Sequence, residues 1–232
     1  MDQPPQFKIP ASFSLTPNRP SQIPSDDILI KNAQTLLEAT LTWQAGKTYQ
    51  GVKTFVHLEY DQVAKTSYTW HCIVSEHHKD EVSFHRLWSK LGRNKAWNRR
   101  SYGTGVAKVT RVKYISEWQG IWTMLYNHPP PMSRRVYTVY QASWLLEYSH
   151  RRRGIMITLP INLLSQSSSD LAELEDKGVK GRYVGVEHLQ EMEGNLVEWR
   201  RVSCMDPGGL IPKFWIQKNA KKRLVEVDDL AS

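Results

Sequence analysis

The chain has 232 residues, of which 40% are hydrophobic, and it carries nine tryptophans, ten tyrosines and a formal net charge of +8. This length and apolar content predict one large domain with a real core. Two cysteines, Cys72 and Cys204, are too few for a disulfide scaffold and favour a reducing compartment. The positive charge leaves nucleic acid, anionic membrane and acidic substrates open as partners.

No stretch of the sequence predicts a membrane span or a secretory signal. The longest largely apolar run, residues 155–164, is too short and too interrupted to cross a bilayer. The N-terminus has no cationic start followed by an apolar block. We therefore expect a cytoplasmic protein.

The chain begins with an arm, residues 1–25, which contains six of the twelve prolines. Its composition is typical of an extended or disordered segment, or of one that lies across the folded body. Residues 26–232 are predicted to form a single domain. Its first helix begins after Ser25, because Asp26 and Asp27 favour the positive end of a helix.

Alternating apolar residues predict the strands that follow. Residues 49–60 and 68–76 each turn one face inward, as a half-solvated antiparallel sheet requires. Helical spacing predicts a short helix over 84–91, and the basic, glycine-punctuated residues 92–105 predict a loop that could gate a cavity. The remaining predicted segments are two strands within 106–126, one strand each in 134–144 and 154–159, and a polar loop with at most one helical turn at 165–177.

The stretch from Gly178 to the C-terminus organises the predicted fold. Two strands, 178–189 and 195–205, are joined through Gly194-Asn195, whose tolerance of positive φ suits a hairpin turn. Pro207 then ends the second strand because it has no N–H for the ladder. The helix predicted after it has an apolar face that passes into a basic one, formed by Ile211, Phe214, Trp215, Lys218 and Lys222. The predicted class is α+β, with a curved antiparallel sheet wrapped around a long C-terminal helix.

Four motifs carry a resemblance to a known family. They are VKGRYVGVEHL at 179–189, VEW at 197–199, DPGG-x-IP at 206–212 and WTMLYNHPPPMSRRVYTV at 122–139. Together they resemble a fungal family of START-like domains without assigned function, within the helix-grip superfamily of steroidogenic lipid-transfer domains, bacterial polyketide cyclases and plant norcoclaurine synthases. The likeness covers roughly residues 48–230. It implies a sheet that grips the C-terminal helix around an internal apolar cavity, and it brings no catalytic motif with it.

Cofactor and metal motifs are missing from the sequence. It has no phosphate-binding loop, no dinucleotide glycine fingerprint and no G-x-S-x-G nucleophile elbow. The histidine cluster of His77, His78 and His85 matches no zinc spacing, so we expect neither a cofactor nor a metal. The basic runs RRRG and KNAKKR are typical of solvated surface when no recognition helix or stacking motif accompanies them. We therefore expect no nucleic-acid partner, and no obligate protein partner is evident.

Arg201 is the first candidate for a functional side chain. It lies on the same side of its predicted strand as Trp199 and Met205. If that side faces inward, the buried cation needs a carboxylate partner or an anionic ligand. Glu117 and Glu198 are the candidate partners in the sequence.

Three further residues are candidates for chemistry. Tyr137 and Tyr183 could donate hydrogen bonds to a ligand carbonyl, and His71 could move a proton near neutral pH. For these residues, as for Arg201, the alternative is an ordinary core aromatic or an exposed charge. The residues predicted to line the cavity are Trp70, Trp118, Trp122, Met124, Trp199, Met205, Phe214 and Trp215.

A cavity with aromatic walls supports two functions. The first is a cofactor-independent biosynthetic enzyme of secondary metabolism, a cyclase or isomerase, or a pericyclase such as a Diels-Alderase, that folds a hydrophobic terpenoid or polyketide. The second is a non-catalytic lipid or sterol binding or transfer protein, whose basic loops would meet an anionic membrane. The aromatic-rich interior favours the enzyme. Two or more buried donors that converge on one end of the cavity would favour chemistry, and a uniformly apolar tunnel with a basic rim would favour transport.

Overall fold

In the computed structural model of the protein, the described residues include nine strands that form one sheet. The structure describes residues 7–61, 65–148, 151–164 and 169–209. The strands are β1 (Gln44–Ala45), β2 (Lys53–Asp61), β3 (Thr66–His78), β4 (Val106–Ser116), β5 (Gln119–Tyr126), β6 (Arg135–Tyr148), β7 (Arg151–Pro160), β8 (Val179–Met192) and β9 (Leu196–Asp206). The helices are α1 (Asp26–Ala39), α2 (Phe84–Leu91), α3 (Lys95–Tyr102) and α4 (Ser169–Ala172), with short 3-10 helices at Ala11–Phe13, Pro20–Gln22 and Thr40–Thr42.

The sheet is built from hairpins and from one pairing between distant parts of the chain. Its strand order is β1-β2-β3-β9-β8-β7-β6-β5-β4, and neighbours in this order pair antiparallel. The distant pairing joins β3 to β9, with His71 opposite Ser203 and Ile73 opposite Arg201. In addition, β6 and β8 pair directly and in parallel. The consecutive antiparallel hairpins predicted from the sequence are confirmed.

Side chains that alternate along the strands divide the core into two faces. We call them the α1 face and the α2–α3 face, after the helices that cover them. On the α1 face, Leu29, Ala33 and Leu36 lie buried at helical spacing. The sheet residues of this cluster include Trp70, Cys72, Val74, Tyr140, Ile155, Ile157, Val184, Val186, Val202 and Cys204.

The α2–α3 face is covered first by α2, which fits the helix predicted over 84–91. Ser83 begins the helix, because its Oγ accepts a hydrogen bond from the Arg86 backbone N–H at 3.2 Å. Gly154 in β7 allows close packing, since a Cβ at that position would overlap the indole ring of Trp88. The buried residues of α2 are Phe84, Leu87, Trp88 and Leu91.

Residues 7–25 belong to the packed structure. Phe13 is 1% exposed and Leu15 is 5% exposed, and both lie in the core of the α1 face. Asn18 forms a parallel bridge with Ile161, just after the end of β7. Residues 7–25 of the proline-rich arm therefore lie across the body, one of the arrangements that the composition of the arm allows.

The loop predicted over residues 92–105 is wrong in part, because its centre forms α3. Asn94 precedes the helix in a left-handed conformation, with a φ of 50°. Asn98 Nδ2 donates to the carbonyls of Lys90 at 2.9 Å and Arg93 at 2.8 Å, which attaches α3 to the end of α2. Charge and glycine spacing favour a loop here, and neither reveals a side chain that bonds to the carbonyls ending another helix.

The hairpin turn and the end of the last described strand lie where the sequence predicts them. Gly194 and Asn195 have φ values of 70° and 61°, which confirms the predicted turn. β9 ends at Asp206, as predicted. The C-terminal helix predicted from Ile211 onward lies outside the described residues.

Among the helices that are described, none is long and apolar enough to cross a membrane.

We predict that Phe13→Ala lowers the free energy of unfolding by about 3 kcal/mol, because a fully buried phenylalanine leaves a cavity when it is truncated. Urea unfolding followed by circular dichroism measures the change. Phe7→Ala is the matched control, since Phe7 is only half-buried in the same arm, and its cost should be clearly smaller. Equal unfolding midpoints for wild type and Phe13→Ala would show that the arm does not stabilise the domain.

Candidate functional site

The centre of the α2–α3 face carries a buried carboxylate between cations. Glu187 in β8 is 2% exposed and lies directly opposite Arg201 of β9, which is 7% exposed. Lys95, the first residue of α3, is 6% exposed, and its Nζ donates to Glu187 Oε1. Trp199 Nε1 donates to the other oxygen, Oε2, at 3.3 Å. We call Lys95, Glu187, Trp199 and Arg201 the charged centre.

Local sequence explains how these side chains come together. Glu187, Trp199 and Arg201 share a face because side chains alternate along each strand and the two strands are in register. Lys95 reaches them because the start of α3 is fixed to the sheet. The bond that fixes it runs from the Ala96 backbone N–H to Gln141 Oε1 in β6, at 2.9 Å.

The electrostatics of the charged centre favour an ionised Glu187. Burial by itself would raise the pKa of this carboxyl, but the neighbouring Lys95 and Arg201 together outweigh it, so the pKa lies below its usual value. Burial lowers the pKa of Lys95, against the opposing effect of Glu187. The Arg201 guanidinium lies 5.5 Å from the centroid of the Trp199 ring, which adds a cation–π contact.

An aromatic cluster lies on the same face, toward β4 and β5. Its tyrosines meet edge to face, with the ring centroids of Tyr126 and Tyr137 5.5 Å apart. Tyr126 also places its hydroxyl 3.9 Å from the sulfur of Met124. The buried members are Ala96, Val109, Trp122, Met124, Tyr137 and Val139, and the partly buried ones are Val106, Tyr126, Tyr183 and Met205.

Tyr183 lies between the aromatic cluster and two polar residues of neighbouring strands, Ser203 and His71. Burial raises the pKa of its hydroxyl, whose hydrogen bond with Ser203 acts in the opposite direction. Ser203 is in turn the register partner of His71 in β3. Tyr183 is therefore a protonated donor at neutral pH, and His71 lies on the same face one strand further on.

The structure places most of the predicted site residues on one face. Arg201 and Trp199 belong to the charged centre, and His71 lies two positions along β3 from Ile73, the partner of Arg201. The members of the aromatic cluster that the sequence predicted are Tyr137, Tyr183, Trp122, Met124 and Met205.

Four of the predicted lining residues lie elsewhere or cannot be located. Trp70 belongs to the core of the α1 face, so it cannot contact a ligand bound on the other side of the sheet. Trp118 lies in the β4–β5 turn, 37% exposed, with its ring stacked on Trp88 at 5.7 Å between centroids. Phe214 and Trp215 lie outside the described residues.

The carboxylate partners expected for Arg201 are wrong. Glu117 binds Arg93 at 3.0 Å, and Glu198 binds Arg200 at 3.1 Å. The sequence reasoning missed Glu187 and Lys95. Glu187 could have been found from the hairpin, since it is the β8 residue opposite Arg201 once three residues, 193–195, are assigned to the loop. No sequence pattern pairs Lys95 with a residue 92 positions away.

In the described parts of the chain, no three His, Cys, Asp or Glu side chains lie close enough together to hold a metal ion. The charged centre itself offers three kinds of donor, an ammonium, a guanidinium and an indole N–H, and a carboxylate as acceptor.

Comparisons with known proteins agree on the fold. The family profile described as protein of unknown function, DUF3074, matches residues 70–228. Among solved structures, human StAR-related lipid transfer protein 5 is 8% identical with a TM-score of 0.62, and the match covers 89% of this chain and 96% of that one. Human STARD10 is 12% identical with a TM-score of 0.60, covering 90% of this chain and 80% of that one.

A third similar structure is the human StarD13 (DLC2) lipid transfer and protein localization domain, 12% identical with a TM-score of 0.55, covering 88% of this chain and 94% of that one. These likenesses show that the chain has a START-like fold with a large curved antiparallel sheet, which confirms the resemblance seen in the sequence. Among curated proteins, no sequence is significantly similar to this chain.

We predict that Glu187→Gln and Lys95→Met each lower the free energy of unfolding by about 3 kcal/mol, because each unbalances the buried charges of the charged centre. The double variant should recover at least half of the summed loss, since it removes both charges. Urea unfolding of the four proteins completes the cycle. Strictly additive losses would show that the two side chains do not interact.

Proposed function

We propose that this chain, which belongs to the DUF3074 family of proteins of unknown function, binds a hydrophobic small molecule against the α2–α3 face and fixes a polar atom of it at the charged centre. One observation carries the proposal. Lys95 and Glu187 form a buried ion pair on the same face as a cluster of aromatic and apolar side chains. An amphipathic ligand matches both parts, because pockets for such ligands combine apolar walls with a few placed polar groups.

A purely structural role explains the ion pair less well. Removing two charges from water costs several kcal/mol per ion, and replacing a buried pair with apolar residues is often neutral or stabilising. The pair thus adds little to net stability. Buried ionisable groups with perturbed pKa values are, in contrast, often found at sites of binding and catalysis.

Each part of the site has a role in the proposed complex. Arg201 and Lys95 provide charge-assisted donors to a carbonyl or carboxylate oxygen of the ligand. Tyr183 provides a neutral donor beside them, and Tyr137 lies deeper in the aromatic cluster. The residues proposed to contact the apolar body are Trp122, Met124, Trp199 and Met205, with Trp118 at the edge and Phe214 and Trp215 from the C-terminal segment.

The similar structures support a lipid-like ligand. Two of them are named as lipid transfer proteins or domains, and a shared fold makes the same class of ligand a reasonable proposal for this chain. A carrier of this kind would work in the cytoplasm and touch anionic membranes transiently. The charges suit such contact, since residues 82–116 contain nine lysines and arginines and no Asp or Glu.

A second candidate function is that of a cofactor-independent cyclase or isomerase, with a pericyclase as one form, that acts on a terpenoid or polyketide. The observation that favours it is the convergence of Lys95, Trp199 and Arg201 on one buried carboxylate. Such donors could hold a ligand carbonyl, stabilise charge that develops on it and keep a flexible chain folded for reaction. Lys95, whose pKa is lowered by burial, and His71 are the candidates for proton transfer.

We predict that Arg201→Met weakens binding of cis-parinaric acid, a fluorescent fatty acid, at least tenfold, because a hydrogen bond to a charged group contributes about 1.5–3 kcal/mol. Fluorescence titration measures the dissociation constant. Arg200→Met is the matched control, since it removes the same charge one residue away, from a side chain that binds Glu198 and Thr40 instead. Equal weakening by both variants, or no saturable binding by wild type, would overturn the proposed site.

A separate experiment decides between carrier and enzyme. Native mass spectrometry of the purified protein would detect a bound small molecule, and chromatography would then compare that molecule before and after incubation with fresh protein. Because cyclisation and isomerisation conserve mass, retention time is the informative quantity. We expect the proposed carrier to return its ligand with unchanged retention, whereas an isomer that forms with wild type and not with Lys95→Met would establish the enzyme.

A further inference from the structure

A groove on the α2–α3 face opens between the α2–α3 connection and the β4–β5 hairpin. The residues that matter for its chemistry are Arg111, Tyr114, Trp118, Trp122, Gln141 and Ser143. Its enclosed part has room for about one or two water molecules, and the remainder is open to solvent. Lys95 also lines the groove, but its Nζ is bonded to Glu187 and so belongs to the charged centre.

Arg111 is held in the groove by two aromatic rings. Its guanidinium lies 5.3 Å from the centroid of Tyr114 and 5.6 Å from that of Trp122. No carboxylate within the described ranges forms an ion pair with it. Stacking on aromatic rings leaves the in-plane N–H groups of a guanidinium available, and these match a planar acceptor with two oxygens.

Two buried polar side chains complete the site. Gln141 is 8% exposed and Ser143 is 6% exposed. Gln141 Oε1 already accepts the Ala96 N–H, while Gln141 Nε2 and Ser143 Oγ have no hydrogen-bond partner among the residues that the structure describes. Neither atom is fully buried, so both groups are open to the groove and can donate hydrogen bonds to an occupant that accepts them.

We propose that this groove binds the carboxylate of a small organic acid. Arg111 pairs with the carboxylate, Gln141 and Ser143 donate to its oxygens, and the exposed rings of Tyr114 and Trp118 contact a flat apolar body at the mouth. The rings at the mouth favour a carboxylate on an apolar body over inorganic phosphate, which has no apolar part to contact them. Glu117 lines the rim, but its charge is balanced by Arg93 at 3.0 Å. The site goes beyond the proposed function, because its ligand pairs with Arg111 and does not use Arg201 or Glu187, although Trp118 and Trp122 lie at both sites.

Ligand-observed NMR titration with benzoate tests the site on the full chain. Benzoate should bind saturably, while the neutral isostere benzamide should bind at least tenfold more weakly. Arg111→Met should weaken benzoate at least tenfold, and Arg111→Lys should recover only part, since an ammonium lacks the planar pair of donors. Lys113→Met is the matched control: it removes the same charge from the same strand, is exposed and does not line the groove. Ser143→Ala should weaken benzoate severalfold.

Three results would overturn the proposal. Equal weakening by Arg111→Met and Lys113→Met would show unspecific charge attraction. Inorganic phosphate that binds as tightly as benzoate would exclude a carboxylate site. Benzoate affinity that is unchanged in Ser143→Ala would show that Ser143 does not donate to the ligand. This last outcome overturns the proposed site even if Arg111→Met fails to fold. The cis-parinaric acid titration separates this site from the proposed function: Arg111→Met should weaken that binding much less than Arg201→Met does, and Arg201→Met should spare benzoate.

Discussion

The register of the β8–β9 hairpin determines which side chains meet on the α2–α3 face. Three residues, 193–195, separate Met192 from its partner Leu196, and every pairing further along the two strands follows from that number. A loop of two residues would place Glu187 opposite Val202 and turn Arg201 to the other face of the sheet. The buried carboxylate would then lose one of its cations. The electrostatics of the site thus depend on the length of one turn.

The second requirement is α3, which brings Lys95 to this centre from outside the sheet. Only Lys95 and Ala96 are buried in this helix, so it has no broad apolar face to hold it. Its position depends on hydrogen bonds at its start to Gln141 and on those of Asn98 to the end of α2. A helix held in this way is easier to displace than α2, which buries four large apolar side chains.

The parts of the fold that the sequence predicts are those with a local signal. The alternation of apolar and polar residues predicts the strands, and the helical spacing of apolar residues predicts α2. The tolerance of Gly194 and Asn195 for positive φ predicts the hairpin. Alternation along β9 places Arg201 on the same side as Val197, Trp199 and Met205, which made it a candidate for a buried cation if that side faced inward. The charged partners around Arg201 could not be predicted in the same way. The position of Glu187 depends on the register of the hairpin, and that of Lys95 depends on a contact between residues 92 positions apart. The same limit explains Trp70: alternation shows that it opposes His71, but not which side of the sheet carries the site.

The charged centre and the groove differ in chemistry, yet both include the start of α3. Lys95 lines the groove with part of its side chain while its ammonium binds Glu187, and Gln141 both lines the groove and fixes the start of α3. A movement of α3 therefore changes both sites at once. Thermodynamic linkage makes any such effect reciprocal: a molecule that alters α3 from the groove changes affinity at the charged centre by the same factor with which a ligand there changes affinity in the groove. The feature of α3 that suits it to such movement is its lack of a broad apolar face, whereas α2 buries four large apolar side chains.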